Sequence, residues 1–293
     1  MSLNKSTIIG IDLGGTKTAI ALFEKDTLKQ LSIKVFPTEA HRGFSAVKMS
    51  LLTEIAELRR DDTVAIGLGV PGFIDHASGT IVTMPNIPGA EGMELSACIQ
   101  YETHLPTIVE NDARCFTYAE ALLGAGKDHD VVLGVTLGTG VGGGIVIHQK
   151  IYHGARGYAG EIGHMLLKPG EPPYPTKDKR GEVEQFLSGS AMGKRCEAAE
   201  SPQDYLEGQV CGFMQPEIFR EVAWLVVNAV HTIDPSVIVF GGSAGRALKP
   251  HFQAIQKELR QWMLPGIKAP LLAASELTDA AVKGAALLAK AAL

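Results

Sequence analysis

Apolar and polar positions alternate along this chain in short blocks, and the blocks read as strands, turns and helices. Residues 7–23 run TIIGIDLGGTKTAIALF, two β-rich apolar runs flanking Gly14-Gly15, which predicts strand, tight turn, strand. Over 44–60 the period changes: Val47, Leu51, Leu52, Ile55 and Leu58 share one face of an amphipathic helix. Val64 to Val70 is a short apolar run that stops at Pro71-Gly72, and 73–84 predicts a hairpin turning at His76-Ala77-Ser78-Gly79. Thr107 to Glu110 is a strand leading into Asn111-Asp112-Ala113 and a helix through about Leu123, closed by Gly124 and Gly126.

Val131 to Leu137 has the composition of a buried strand. A glycine-rich turn, Gly138 to Gly144, follows, then the strand Ile145 to Ile147. Lys168 to Lys179, rich in Pro, Lys and Asp, reads as an exposed loop. Pro216 to Ile233 predicts a helix, with Pro in its first turn, apolar residues at 218, 219, 222, 225, 226, 229, 230 and 233, and Asp234-Pro235 as its stop. Ser236 to Phe240 is a strand ending in Gly241-Gly242, and 279–293 is a helix of small residues. The segment Gly10-Ile11-Asp12-Leu13-Gly14 reappears as Gly134-Val135-Thr136-Leu137-Gly138. Such internal similarity predicts two lobes of related build, each presenting a glycine turn to a common cleft.

Length and composition agree with that picture. A chain of 293 residues exceeds a comfortable single core. The net charge of -5 and the lack of a basic stripe argue against a nucleic-acid binder. The first strand begins by about Thr7, so no DNA-reading domain is expected ahead of it. No apolar stretch reaches membrane-spanning length and no signal-peptide layout opens the chain, so a cytoplasmic protein without membrane or nucleic-acid partners is expected. Cys98, Cys115, Cys196 and Cys211 are scattered without metal-site spacing, which predicts free thiols.

Several positions carry candidate chemistry. Gly14-Gly15-Thr16-Lys17 lets backbone N–H groups approach phosphate oxygens, with a hydroxyl and a cation beside them. Asp12, just before the turn, is placed to hold Mg²⁺ directly or through water; a plain hairpin with a solvent-facing Lys is the competing reading. Gly138-x-Gly140-x-x-Gly143 matches a dinucleotide fingerprint formally, but a strand follows where that fingerprint needs a helix. A second phosphate turn, Gly138-Thr139-Gly140, fits better. Asp112 at a strand-to-helix junction is placed to take a proton from a substrate hydroxyl, although Asn or Asp there is equally an N-cap. In Gly160-Glu161-Ile162-Gly163-His164 a carboxylate and an imidazole stand among glycines, suited to hydrogen-bonding sugar hydroxyls. Glu184, taken alone, is an ordinary surface carboxylate.

Together these pieces resemble the ROK family of sugar kinases, within the actin-like ATPase superfamily. DLGGTK at 12–17, GVPG at 69–72, END at 110–112, LGTGVGGG at 137–144, GEIGH at 160–164, ExxxSG at 184–189, DPSVIVFGG at 234–242 and GAALLA at 284–289 follow in the family's order. The resemblance implies an α/β, two-lobed actin-like (ribonuclease H-like) fold with a central cleft. The lobes would be residues 1–112, rejoined by the helix 279–293, and 113–278. It implies an ATP- and Mg²⁺-dependent hexokinase acting on the 6-hydroxyl of glucose or N-acetylglucosamine, with fructose and N-acetylmannosamine as alternatives. A sugar-sensing regulator is the remote alternative, and polyphosphate is an alternative donor. Asp112 would be the general base and, with Asn86, Asn111, Glu161, His164 and Glu184, would bind sugar. Asp12, Gly14, Gly15, Thr16, Lys17, Gly138, Thr139 and Gly140 would face phosphates and Mg²⁺, and Gly189, Gly241 and Gly242 would border adenosine. Lobe closure about Gly69 to Gly72 and Gly138 would exclude water. A homodimer is usual in the family. Where family members carry a zinc-binding cysteine cluster, this chain has Lys168 to Glu182 without a cysteine, so no zinc is expected.

Overall fold

The computed structural model describes residues 6–76, 78–208 and 210–293. The chain forms two compact units: Met1–Ala119 with His153–Ala159 and Thr278–Leu293, and Glu120–Tyr152 with Gly160–Leu277.

The first unit starts with β1 (Thr7–Leu13) and β2 (Lys17–Glu24), the expected strands around Gly14-Gly15, followed by β3 (Gln30–Pro37). Then come α1 (Phe44–Leu58), β4 (Thr63–Val70), the hairpin β5 (Phe73–Asp75) and β6 (Thr80–Thr83), α2 (Leu95–Thr103), β7 (Thr107–Asn111) and α3 (Asp112–Leu123). Ala77, named in the expected β5–β6 turn, lies outside the described residues. The sheet order is β3-β2-β1-β4-β7, with β1, β4 and β7 parallel and β2 and β3 antiparallel. β3 escapes an apolar-pattern reading because it is an edge strand whose residues are largely exposed. One face of the sheet is buried with Val47, Leu51 and Ile55 of α1 and Leu95 and Ile99 of α2.

The second unit carries β8 (Val131–Leu137), β9 (Val141–Ile147), β10 (Lys150–Ile151), α4 (Val183–Leu187), α5 (Gly189–Arg195), α6 (Pro202–Leu206), α7 (Gln215–Ile233), β11 (Val237–Gly241), α8 (Gly242–Ala247), α9 (Phe252–Leu259) and β12 (Leu271–Ala274). Its sheet order, β10-β9-β8-β11-β12, repeats the first, with β8, β11 and β12 parallel and β9 and β10 antiparallel. β9 begins at Val141, so Gly142 to Gly144 are strand residues rather than turn. The reason is packing: a Cβ on Gly143 would stand 2.6 Å from the Gly160 carbonyl oxygen. The glycines let the next segment lie against the strand.

The expectation of free thiols is corrected at two positions. Cys196 and Cys211 form a disulfide, with Cα atoms 6.0 Å apart. α6 lies between them in sequence and folds the chain back, which linear spacing does not reveal. Cys98 and Cys115 are free.

The last helix, α10 (Ala280–Ala291), belongs to the first unit and covers the other face of its sheet, where Val282, Ala286 and Ala289 bury Ile8, Phe23 and Ala65. Its small residues have a steric cause. A Cβ on Gly67 of β4 would lie 1.9 Å from the Ala285 carbonyl oxygen, so helix and strand meet backbone to backbone. Among the described residues, no helix is long and apolar enough to cross a membrane.

Candidate functional site

Strand register assembles the chemistry of the first unit. Asp12 of β1 pairs with Gly69 of β4, and Gly69 pairs with Glu110 of β7. The carboxyl ends of three parallel strands therefore lie side by side, where α/β sheets place their ligands. Gly69 keeps the middle low: a Cβ there would approach the Cα of Asp112 to 3.3 Å.

The junction between β7 and α3 separates two roles that the sequence left open. Asn111 supplies the cap, its Oδ1 accepting from the Arg114 N–H at 3.1 Å while its Nδ2 donates to the Gly72 carbonyl at 3.1 Å. Asp112 begins the helix, and its Oδ1 accepts from the Ala113 N–H at 2.7 Å. The Asp12 carboxyl is raised to about 7, first by burial and then by the negative charge of Asp112, with Lys17 opposing and Asp279 adding to the rise. Two carboxylates that repel each other fit a divalent cation, which would relieve both burial and repulsion. Asp279 was not singled out from the sequence. Its place just before the alanine-rich helix is the signal that would have found it.

The first glycine turn closes with the Gly14 N–H donating to the Lys17 carbonyl at 3.1 Å. Thr38, also unanticipated, braces it from β3's end, donating to the Gly14 carbonyl at 2.6 Å and bonding Thr18 Oγ1 at 2.8 Å. Thr16 and Lys17 are exposed. Asn86 is exposed too and lies against Gly15, where a Cβ would come within 2.9 Å of its own Cβ.

In the second unit the turn Gly138-Thr139-Gly140 is held by later segments. Gly189, opening α5, donates to the Gly138 carbonyl at 2.7 Å, and Ser190 Oγ donates to the Thr139 carbonyl at 2.8 Å. Glu184 of α4 accepts from the Val141 N–H at 2.9 Å. Gly241 ends β11, and Gly242 opens α8 with φ +74°, where a Cβ would stand 2.3 Å from the Leu137 carbonyl oxygen. The expected adenosine-side glycines are thus gathered at one turn.

Glu161 precedes and His164 ends a short 3₁₀ turn, Ile162–His164, beside β9. The Val183 N–H donates to the Met165 carbonyl at 2.9 Å, which ties this turn to α4 and Glu184. His164 Nδ1 is 3.2 Å from Glu182 Oε2. The cysteine-free loop closes by hydrogen bonds of its own. Leu167 N–H donates to Gly181 at 2.8 Å, Gly181 N–H to Gln185 Oε1 at 2.7 Å, and Gln185 Nε2 to the Asp178 carbonyl at 2.9 Å. Glu182 and Gln185 complete a capping box on α4. Neither residue was named as a determinant, though the E-x-x-Q spacing ahead of an apolar run announces such a cap.

Comparison with known proteins agrees with this arrangement. The model of the ROK family matches residues 8–292. The chain is 30% identical to N-acetyl-D-glucosamine kinase of Pasteurella multocida, covering 95% of this chain and 98% of that one. It superposes on a ROK hexokinase from Thermus thermophilus with a TM-score of 0.80 at 31% identity, covering 98% of each chain. A ROK-family glucokinase from Streptomyces griseus, solved with glucose and AMPPNP, gives 0.77 at 27% identity, covering 98% of this chain and 100% of that one. With nearly every residue aligned, an α/β fold duplicated in two sheets and the motifs in order, this chain belongs to the ROK family.

Proposed function

We propose that this protein is an ATP-dependent hexokinase that transfers the γ-phosphoryl group to the 6-hydroxyl of glucose or N-acetylglucosamine. The observation that carries the reading is the register Asp12–Gly69–Glu110, which brings a phosphate-type turn and a strand-to-helix carboxylate to one sheet edge. The relatives act on these two sugars by name, and one was solved with an ATP analogue.

Asp112 orients the sugar hydroxyl and takes its proton. Asn86, Asn111, Glu161, His164 and Glu184 hydrogen-bond the ring hydroxyls. The N–H groups at Gly14, Gly15, Thr16, Gly138, Thr139 and Gly140 receive phosphate oxygens, and Lys17 adds positive charge. Gly189, Gly241 and Gly242 leave room for adenosine. Asp12 holds Mg²⁺ directly or through water; bound there, the ion offsets charge on the transferred phosphoryl group. The loop after His164 is closed by Gly181, Glu182 and Gln185 in place of zinc. The two lobes divide within α3, after Ala119, with His153–Ala159 and the last helix returning to the first, and the enzyme works in the cytoplasm as a homodimer.

The test is coupled ADP release with ATP and Mg²⁺ over glucose, N-acetylglucosamine, N-acetylmannosamine, fructose, mannose and allose. A clear rate on glucose or N-acetylglucosamine is expected. A rate confined to another sugar corrects the substrate, and silence on all six from folded, ATP-binding protein overturns the reading.

A further inference from the structure

Three segments of the first unit deliver imidazoles and a carboxylate to one point that the proposed reaction does not use. His76 stands on the β5–β6 hairpin, Glu110 near the end of β7, and His153 on the segment His153–Ala159. One ligating atom from each lies within 4.8 Å of the others. We propose that His76, Glu110 and His153 form a binding site for a divalent transition-metal ion of the zinc class.

Distances come first. His153 Nε2 is 2.6 Å and His76 Nδ1 3.9 Å from the same oxygen, Glu110 Oε2. Zinc bonds of about 2.0–2.2 Å in a tetrahedral shell separate neighbouring ligand atoms by about 3.3–3.5 Å. The two observed spacings bracket that value. The imidazoles are stacked, with centroids 3.5 Å apart and planes 17° from parallel. An ion must lie near the plane of each ring it bonds, so one ring has to leave the stack. His76, with 55% of its side chain exposed on a hairpin, is free of the packing that would prevent this; His153 is 18% exposed.

The carboxylate is prepared for the role. Glu110 is 5% exposed, and its other oxygen, Oε1, accepts from the Asn111 N–H at 2.8 Å and from Arg114 at 3.3 Å. Those partners fix the carboxylate plane and turn Oε2 toward the imidazoles, as outer-shell hydrogen bonds do around metal ligands. Burial alone would raise the Glu110 carboxyl, but the bonds from His153 and Asn111 outweigh it and hold it below its ordinary range. Burial and the neighbouring His153 lower His76, which favours the neutral ring a metal requires. Two imidazoles with one carboxylate suit Zn²⁺, Co²⁺ or Ni²⁺, whereas Mg²⁺ prefers an all-oxygen shell. The solvent side of His76 gives the ion an entry path and room for water ligands. Occupied, the site would pin the hairpin and the His153 segment to the end of β7.

The test uses the full-length protein stripped with chelator, without ATP or sugar. Zn²⁺ is titrated by calorimetry, Co²⁺ by visible absorption, and thermal unfolding is followed in parallel. The expected result is one equivalent bound with imidazole-type Co²⁺ bands and a raised melting temperature. His76→Ala, a change at an exposed position, and His153→Ala should each weaken Zn²⁺ by more than about tenfold, the scale of losses at metal sites. His148→Ala, at an exposed position outside the cluster, should bind like wild type. Equal Zn²⁺ affinity in wild type and His76→Ala overturns the site, as does displacement of Zn²⁺ by an equal concentration of Mg²⁺. Both outcomes are read without turnover, so they stand apart from the sugar assay.

Discussion

The two glycine turns share a backbone plan and differ in how they are held. Each joins a central parallel strand to its antiparallel neighbour, and each sits at the same place in its sheet order. The first carries its own charge, with Asp12 before it and Lys17 after it, and closes through strand residues and Thr38. The second has Thr136 where the first has Asp12. It is shaped by Gly189, Ser190, Glu184 and Gly242, all remote in sequence. A duplicated scaffold has thus been specialised by two routes. Charge written into a strand makes one turn, and segments folded back from afar make the other.

This contrast can be pressed experimentally, starting with the chemistry of the first unit. Asp112→Asn should lower kcat by about 10²–10⁴-fold, the range of general acid–base catalysis, while calorimetry finds sugar affinity nearly unchanged. Retained turnover would remove Asp112 as base and leave it as the first residue of α3, beside the cap that Asn111 supplies.

The second unit should be more sensitive to remote covalent support. Cys196 ends α5, the helix seated on the second turn, and Cys211 precedes α7. Opening a loop of this length removes about 3 kcal/mol in the chain-entropy account. Urea unfolding with and without reductant should show that loss in the second unit, with far less effect on the first.

Gly242→Ala should cost about 1–3 kcal/mol, because its left-handed φ and the Leu137 carbonyl 2.3 Å from the new Cβ leave no relaxed position. Denaturation midpoints check the loss. Gly241→Ala, in extended backbone, should cost less.

A pH-dependent effect concerns charge in the first turn. Asp12 has its folded-state pKa raised from 3.8 to about 7, so the folded, ion-free protein binds an extra proton between those values. Its contribution is favourable below the unfolded pKa and is lost as pH rises through the folded one. Asp12→Asn should therefore melt higher than wild type at pH 8 without Mg²⁺, and the difference should shrink at pH 5. Thr136→Val, at the equivalent place in the second turn, should show no such pH dependence. Equal gains at both pH values would mean that Asp12 ionises without penalty.

How much was legible follows from where each signal resides. The strands around Gly14-Gly15 and the α7 period could be read because strand and helix periodicities are local. β3 was not, since an edge strand needs no apolar alternation. α4 and α5 are too short for a periodic signal, and their ends are set by Glu182, Gln185 and Ser188. The free-thiol expectation failed at Cys196 and Cys211 because a crosslink depends on proximity after folding.

By itself, then, the sequence determined the duplicated strand–turn–strand units, the glycines that let backbone approach backbone, and the inventory of acids and imidazoles. Tertiary structure alone decided which of these meet. Register across β1, β4 and β7 aligned Asp12 with Glu110, α5 and α8 closed on the second turn, and two histidines far apart in sequence converged on one carboxylate. The physical reason is range: propensity and periodicity act over a few residues, while charge coupling, metal geometry and close packing act across space.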